Sequence, residues 1–251
     1  MLGFLGMLQA ALTVLVPSHT GDLFTALTIT LAVLAFLTLV LGVLVSFRGS
    51  VHVRLSVFVA TVSLLSSIFF DGACHRTHID ASVDVDTKIL VLAMPLIVVF
   101  LGLIVSVNDP PLPLGYLFIG MSTVWNVFDA TTLGIVIDLH SLDDTTAVLL
   151  CGTLVLVLVA SIHYGKKATK RKPDRLRQLT SVSGGFIVSG VLAMGLQAVL
   201  PGTGELYVYC IGALGVGILI ARVGYIAQVR RARTTPPQVD APIVQLDNNI
   251  V

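Results

Sequence analysis

Apolar segments long enough to cross a lipid bilayer recur along this whole chain, and they restrict its fold more than any other feature. A hydrocarbon layer about 30 Å thick needs roughly 17 to 25 mostly apolar residues per helix. Seven segments satisfy this requirement: residues 23–46, 51–70, 89–107, 112–137, 147–165, 179–200 and 206–228. No alternation of apolar and polar residues supports a barrel. We therefore predict an all-α polytopic membrane protein, a bundle of seven transmembrane helices.

Composition supports the same class. Of the 251 residues, 55% are hydrophobic and 12% are charged, and the mean hydropathy is +0.96. Soluble domains carry about 25% charged residues, so this chain lacks the polar surface that a water-soluble globule needs. We expect a multi-pass protein of the plasma membrane or an endomembrane.

The distribution of basic residues predicts the orientation. If the first span runs from outside to inside, the outer loops receive only Arg76 and Lys88, whereas the inner side receives twelve basic residues. These are Arg48, Arg54, Lys166, Lys167, Lys170, Arg171, Lys172, Arg175, Arg177, Arg230, Arg231 and Arg233. Because basic loops stay in the cytoplasm, we predict an outside N-terminus and a cytoplasmic C-terminus.

Three regions follow from this topology. The segment 1–22 begins with the apolar "MLGFLGMLQAALTVLV" and lacks a basic start, so a signal peptide, an interfacial helix and an outer extension of the first helix all stay open. Residues 23–229 form the seven-helix domain. Residues 230–251 combine a basic cluster with a polar, proline-containing stretch, which indicates a disordered cytoplasmic tail.

The lipid bilayer is the main partner that the sequence predicts. The basic loop 166–177 is a candidate contact for anionic lipids, although such a loop also serves simply to fix topology. It lacks interleaved aromatic residues, so we expect no nucleic-acid binding.

Small residues recur at four-residue spacing in the last two spans. Ser181, Gly185 and Ser189 form one stripe, and Ala213 and Gly217 form another. Such stripes let helices approach closely, which predicts tight packing within the bundle. A homo-oligomer through these stripes is the alternative.

Asp129, in "VWNVFDATTLG", is the most costly residue in the sequence, because it is expected at membrane depth in the outer half of the fourth span. A carboxylate at that depth costs several kcal/mol and usually marks a cavity, an ion pair or a proton site. A protonated or hydrogen-bonded structural aspartate is the alternative. Asn126 precedes it by one turn, and Ser67 and Gln197 are expected at similar depth. These four residues could therefore line one outward-facing polar pocket.

A second candidate site is "FFDGACHRTHID", which follows the second span. Asp71, His75 and His78 are metal-ligand types, and their spacing places them on one face if the helix continues outward. Gly72 and Arg76 interrupt that pattern, and a hydrated exit loop is the interpretation we prefer to a zinc site.

Two seven-helix families resemble parts of this chain. "SIFFDGAC", residues 67–74, resembles the end of the second helix in the myomaker-type branch of the superfamily of alkaline ceramidases and progestin and adipoQ receptors, with Asp71 where a histidine is expected. "GVLAMGLQAVL" and "ELYVYC" are similar in layout to that branch's last two helices. The family's zinc site needs two histidines in the seventh helix, and none follows His163.

The other family is the microbial rhodopsins. The segment "AMPLIVVFLGLIVSVNDPP" resembles the third helix of that family and the turn that follows it. A retinal Schiff base would need a lysine in the seventh helix. The only lysine outside the basic loop is Lys88, so we do not expect retinal.

The function that we expect is non-catalytic. No catalytic or cofactor-binding residue is predicted, and the protein would act through the outward polar pocket or through helix association. A metal-dependent lipid hydrolase and an opsin-like or proton-linked receptor or transporter using Asp129 are the alternatives.

Overall fold

The computed structural model describes residues 4–5, 7–8, 21–73, 85–107, 113–132, 144–169, 172–199 and 206–234. Within several helices the description covers the backbone alone, as at residues 21–27, 69–73, 129–132, 144–151 and 197–199. The described residues form seven long helices: α1 (Gly21–Arg48), α2 (Val53–Ala73), α3 (Val85–Val107), α4 (Pro113–Thr132), α5 (Asp144–Thr169), α6 (Pro173–Val199) and α7 (Leu206–Thr234).

The all-α prediction is confirmed for this part of the chain, which contains no strand, and each predicted span overlaps one helix. Several helices extend beyond their predicted spans, most of all α6 and α7. α6 starts at Pro173 instead of residue 179, because proline suits a first helical position and Asp174 suits the first turn. α7 continues to Thr234 because its charged last turn still has good helix formers.

Within the described residues, three helical segments are long and apolar enough to cross a membrane: Thr28–Arg48, Pro173–Leu196 and Ile211–Thr234. These segments differ in how much of their most apolar stretch is buried in the protein. The buried share is 67% in α6, 17% in α1 and 28% in α7. The difference arises because α6 packs against α1, α4 and α7 and so lies at the centre of the bundle.

The outer faces of the helices carry large apolar side chains, whereas the interior carries hydroxyl groups. Phe36, Leu96 and Leu156 are among the exposed residues. The buried polar residues are mostly serine and threonine: Thr38, Ser46, Ser56, Thr61, Ser63, Ser66, Ser67, Ser106, Ser122, Thr123, Asn126, Ser161, Thr180, Ser181, Ser183, Ser189 and Gln228. An apolar exterior around a small, hydroxylated interior is typical of helices that associate in lipid.

One end of the bundle, which we call the basic end, joins the C-termini of α1 and α5 to the N-termini of α2 and α6. The end of α7 lies there too, because the Gln228 side-chain oxygen accepts a hydrogen bond from the Ser50 backbone N–H at 3.2 Å. An apolar cluster, the inner core, fills this end of α2 to α6; its buried members are Val57, Ala60, Val105, Tyr116, Ile119, Ala168, Leu176 and Leu179.

A second apolar cluster includes a residue from the N-terminal segment. Met7 is buried together with Val45, Val59, Val62, Val98 and Ile187, and Phe4 packs against the same cluster. Phe4, Leu5, Met7 and Leu8 are helical. This part of segment 1–22 thus packs in the interior of the bundle; residues 9–20, and with them the question of cleavage, lie outside the described residues.

A hydrogen-bonded knot joins α1, α6 and α7 near the basic end. We call it the Ser46 knot, and it comprises Ser46, Thr180, Ser181 and Gln228. The Gln228 amide nitrogen donates to the Ser46 carbonyl at 2.6 Å and lies 3.0 Å from the Ser181 hydroxyl and 3.3 Å from that of Thr180. The Ser181 hydroxyl also donates to the Ser46 carbonyl, at 3.1 Å.

Glycine makes this knot feasible. A Cβ at Gly184 would collide with the backbone of Gly42 and Ser46, and one at Gly224 would collide with the Ser46 hydroxyl. Backbones that approach so closely leave no room for a side chain. The predicted small-residue stripes pack in the same way between α6 and α7, where a Cβ at Gly217 would lie 2.6 Å from the Cβ of Ser189. A homo-oligomer stays a prediction.

Candidate functional site: a buried amide cluster

A buried asparagine joins three helices at mid-height in the bundle. The Ser63 hydroxyl of α2 donates to the Asn126 side-chain oxygen at 2.6 Å, and the Asn126 side-chain nitrogen donates to the Ser183 hydroxyl of α6 at 3.0 Å. All three side chains are buried. We call Ser63, Asn126 and Ser183 the amide cluster. It fixes the relative heights of α2, α4 and α6.

The amide of Asn126 has capacity beyond these contacts. A side-chain amide can take part in four hydrogen bonds, and the cluster uses two of them. Next to it in sequence, the Trp125 indole N–H is buried and has no hydrogen-bond partner among the described residues. Burying an indole or amide N–H without a partner costs free energy. Both groups therefore favour an acceptor placed nearby.

The side of the cluster that faces the basic end is packed. Thr123, one turn before Asn126, directs its hydroxyl to the carbonyls of Ile119 at 2.7 Å and Leu179 at 3.2 Å. Ile119 and Leu179 belong to the inner core. Backbone carbonyls and apolar side chains thus occupy the space below the amide cluster.

On the side of the amide cluster away from the basic end, further polar residues are buried. Ser66 and Ser67 follow Ser63 by three and four residues in α2, and both are buried. The Ser66 hydroxyl donates to backbone carbonyls of its own helix, at 2.5 Å to Val62 and 3.0 Å to Ser63. In α4, Asp129 follows Asn126 by three residues and Trp125 by four, a spacing that puts it one turn farther along a neighbouring part of the helix surface.

The structure places the predicted pocket residues as follows. Asn126 and Ser67 lie in the interior, on the two helices that the hydrogen bond from Ser63 to Asn126 joins. Asp129 and Gln197 belong to α4 and α6, but their side chains lie outside the described part of the structure. Convergence of the four residues on one pocket stays a prediction.

The predicted metal site lies almost wholly outside the described residues. Asp71 is in the last turn of α2, where only the backbone is described, and His75 and His78 follow the last described residue of that helix. Among the residues that the structure does describe, no three histidine, cysteine, aspartate or glutamate side chains form a metal-binding group.

Sequence reasoning missed Ser63 and Ser183, the two partners of Asn126. A signal was present for one of them, because Ser63 precedes Ser67 by four residues and so lies on nearly the same face of α2. Ser183 gave no such signal, since it lies between the residues of the small-residue stripe that begins at Ser181.

No protein-family model, no curated protein and no solved structure matches this chain. The residues of the amide cluster and their surroundings are therefore what a functional proposal has to rest on.

Proposed function

We propose that this chain is a seven-span membrane protein with its N-terminus outside, and that it acts as a non-catalytic, receptor-like protein. Its ligand site is a polar pocket in the outer half of the bundle, formed by Ser67, Asn126, Asp129 and Gln197. The observation that carries the proposal is the hydrogen-bonded amide cluster above a packed apolar core. Asn126 keeps unused hydrogen-bonding capacity there, and the buried indole N–H of Trp125 has no hydrogen-bond partner among the described residues.

The topology part of the proposal is supported by the basic end. Arg48, Arg54, Lys167 and Arg175 are all in helical ends or turns on that side, and basic residues flank membrane spans on the cytoplasmic side. The four helices that are not counted among the long apolar segments would complete the bundle because they pack directly against α6 or its neighbours.

The packing asymmetry supports a binding site in preference to a transport path. The inner core and the Ser46 knot fill the basic end, whereas the polar residues of α2 and α4 continue toward the opposite end. A ligand would thus enter from outside and stop at the amide cluster. We expect it to offer a hydrogen-bond acceptor to Trp125 and Asn126, and Asp129 would respond to its charge or to protons.

The resemblance to the myomaker-type branch is retained as part of this proposal. It rests on the sequence alone, chiefly that of residues 67–74. The absence of histidine after His163 favours a relative that has lost the zinc chemistry of hydrolases.

The single tryptophan provides the experiment. The purified full-length protein is reconstituted in vesicles, and Trp125 emission is recorded as the pH is varied. We expect a pH-dependent change in the wild type that is lost in Asp129→Asn, because Asp129 follows Trp125 by one helical turn. The matched control is Asp174→Asn, which removes an exposed carboxylate at the basic end and should leave the profile unchanged.

Two results would contradict the proposal. Superimposable profiles for the wild type and Asp129→Asn would show that Asp129 is only structural. Zinc bound at one ion per chain and lost on His75→Ala would instead support the metal-dependent hydrolase.

A further inference from the structure

A cleft of about 230 Å³ lies at the basic end, outside the site described above. Its lining comes from the last turns of α5 and the first turns of α6: Tyr164, Lys167, Arg175, Gln178 and Leu179. Pockets for drug-sized ligands are about 300 to 1,000 Å³. This smaller cleft has room for a phosphate-sized head group and not for a whole lipid.

Close helix packing holds the walls of the cleft in place. A Cβ at Gly120 of α4 would collide with the Tyr164 carbonyl, and one at Gly165 would lie 3.0 Å from side-chain atoms of Leu117 and Met121. α5 is therefore pressed against α4 at the turn that carries Tyr164. Leu179, the apolar floor of the cleft, is itself part of the inner core.

The cleft is positively charged and its charges are not neutralised by the nearest acidic residue in sequence. The Lys167 ammonium group lies 5.0 Å from the centre of the Tyr164 ring, and Arg175 faces the same cleft. Asp174 pairs instead with Arg177, at 2.8 Å. Among the described residues neither Lys167 nor Arg175 forms an ion pair. The cleft also lies beside the first turns of α6, where the helix dipole favours an anion.

The surface next to the cleft suits an acyl chain. Leu156 is 70% exposed and precedes Lys167 by eleven residues, which is about three helical turns, so both lie on one face of α5. Val159 and Ile162 are exposed on the same helix. Tyr164, 42% exposed, stands where this apolar surface meets the basic groups, as tyrosine does at membrane interfaces.

The geometry points to a binding site for the phosphate group of an anionic phospholipid, with Lys167 and Arg175 as the cations that hold it and the exposed face of α5 as the track for its acyl chain. Arg175 can donate two parallel hydrogen bonds to phosphate oxygens, and Lys167 adds a point charge. The Gln178 amide and the Tyr164 hydroxyl are further donors in the lining. The site lies on the opposite side of the inner core from the proposed ligand pocket and does not depend on it.

The test measures lipid binding by native mass spectrometry of the full-length protein in detergent, titrated with phosphatidic acid or with phosphatidylcholine. We expect tighter binding of phosphatidic acid. A basic residue that contacts the bound phosphate is worth about fivefold in affinity, so Lys167→Gln with Arg175→Gln should weaken that binding by about 25-fold. The control pair Arg231→Gln with Arg233→Gln removes the same charge from exposed positions at the end of α7 and should change it less than about twofold.

A swapped pair, Lys167→Arg with Arg175→Lys, keeps the charge and should retain binding within about fivefold, which separates loss of the site from loss of the fold. If the cleft pair and the control pair lose phosphatidic acid binding equally, or if neither loses it, the proposal is overturned.

Competition with inorganic phosphate forms the second arm of the test. If millimolar phosphate displaces phosphatidic acid and the protein shows no preference between the two lipids, the cleft is a site for a free anion and the lipid assignment is wrong.

Discussion

The Ser46 knot and the amide cluster are both buried, hydrogen-bonded and built on α6, yet they differ in what their polar groups contact. In the knot, Gln228 and Ser181 donate to the Ser46 backbone carbonyl, and glycines bring the three backbones together. In the amide cluster, side chains contact side chains. We expect contacts of the first kind to lock the helices, whereas the proposed function needs side-chain polar groups of the second kind.

The Ser46 knot and the amide cluster also lie at different heights along α6. The knot lies at the basic end, where the inner core fills the neighbouring space. The amide cluster lies farther along α6, and Ser66 and Ser67 of α2 are also buried on its side away from the basic end. Substitutions in the knot should therefore alter stability alone, and substitutions in the amide cluster should alter the response to ligands or pH as well.

The largest expected effect is at Gly184. Gly184→Val would force apart the backbones of α1 and α6, since even a Cβ collides with Gly42 and Ser46, and we expect the free energy of unfolding to fall by about 3 kcal/mol or more. Thermal or denaturant unfolding in detergent measures this. Gly212→Ala is the matched control, because no described atom of another residue lies within 4 Å of the added Cβ. Equal stability of the two variants would mean that α1 and α6 do not approach as described.

Gln228→Leu should have the next largest effect. It removes contacts to Ser46, Ser50, Thr180 and Ser181, and interhelical hydrogen bonds in membranes average about 0.6 kcal/mol. We expect a loss of about 2 kcal/mol in unfolding free energy with the pH profile of Trp125 emission intact. A changed profile in a variant that remains folded would remove the distinction between the two regions.

Asn126→Leu should cost less, about 1 kcal/mol, because two interhelical hydrogen bonds are lost. Its effect on Trp125 emission should be larger than its effect on stability, since the residue lies next to Trp125 and one turn before Asp129. An unfolding experiment gives the change in stability, and a pH titration of the same sample gives the change in Trp125 emission. A stability loss with an unchanged titration would place the amide cluster in the same structural class as the knot.

The smallest effect is the coupling between Ser63 and Asn126. A double-mutant cycle with Ser63→Ala and Asn126→Leu should give an interaction energy of about 0.6 kcal/mol, as expected for one buried side-chain pair in a membrane protein. A coupling near zero would show that the 2.6 Å contact contributes nothing to stability.

The sequence predicts the elements of this fold well and their contacts poorly. The helices and turns follow from apolar length, from Gly49 and Ser50 between α1 and α2, and from the charged ends, all of which are local signals. Asn126 could be picked out because it precedes Asp129, an ionisable residue within an apolar segment, by one helical turn. Its partners could not, since Ser63 and Ser183 look like any other small interior residues until the helices are placed side by side. The same holds for Gln228, which closes the knot across more than a hundred residues of sequence.

The most direct measurement of the proposed asymmetry is thiol labelling in sealed, right-side-out vesicles. In a chain with Cys74, Cys151 and Cys210 replaced by serine, Asp129→Cys and Thr180→Cys are each exposed to a membrane-impermeant thiol reagent added outside, and then again after denaturation to count the total thiol. An outward-opening pocket predicts rapid labelling of Asp129→Cys from outside and none of Thr180→Cys, which belongs to the Ser46 knot. Labelling of both at the same rate, or of Asp129→Cys only when the reagent is inside, would contradict it.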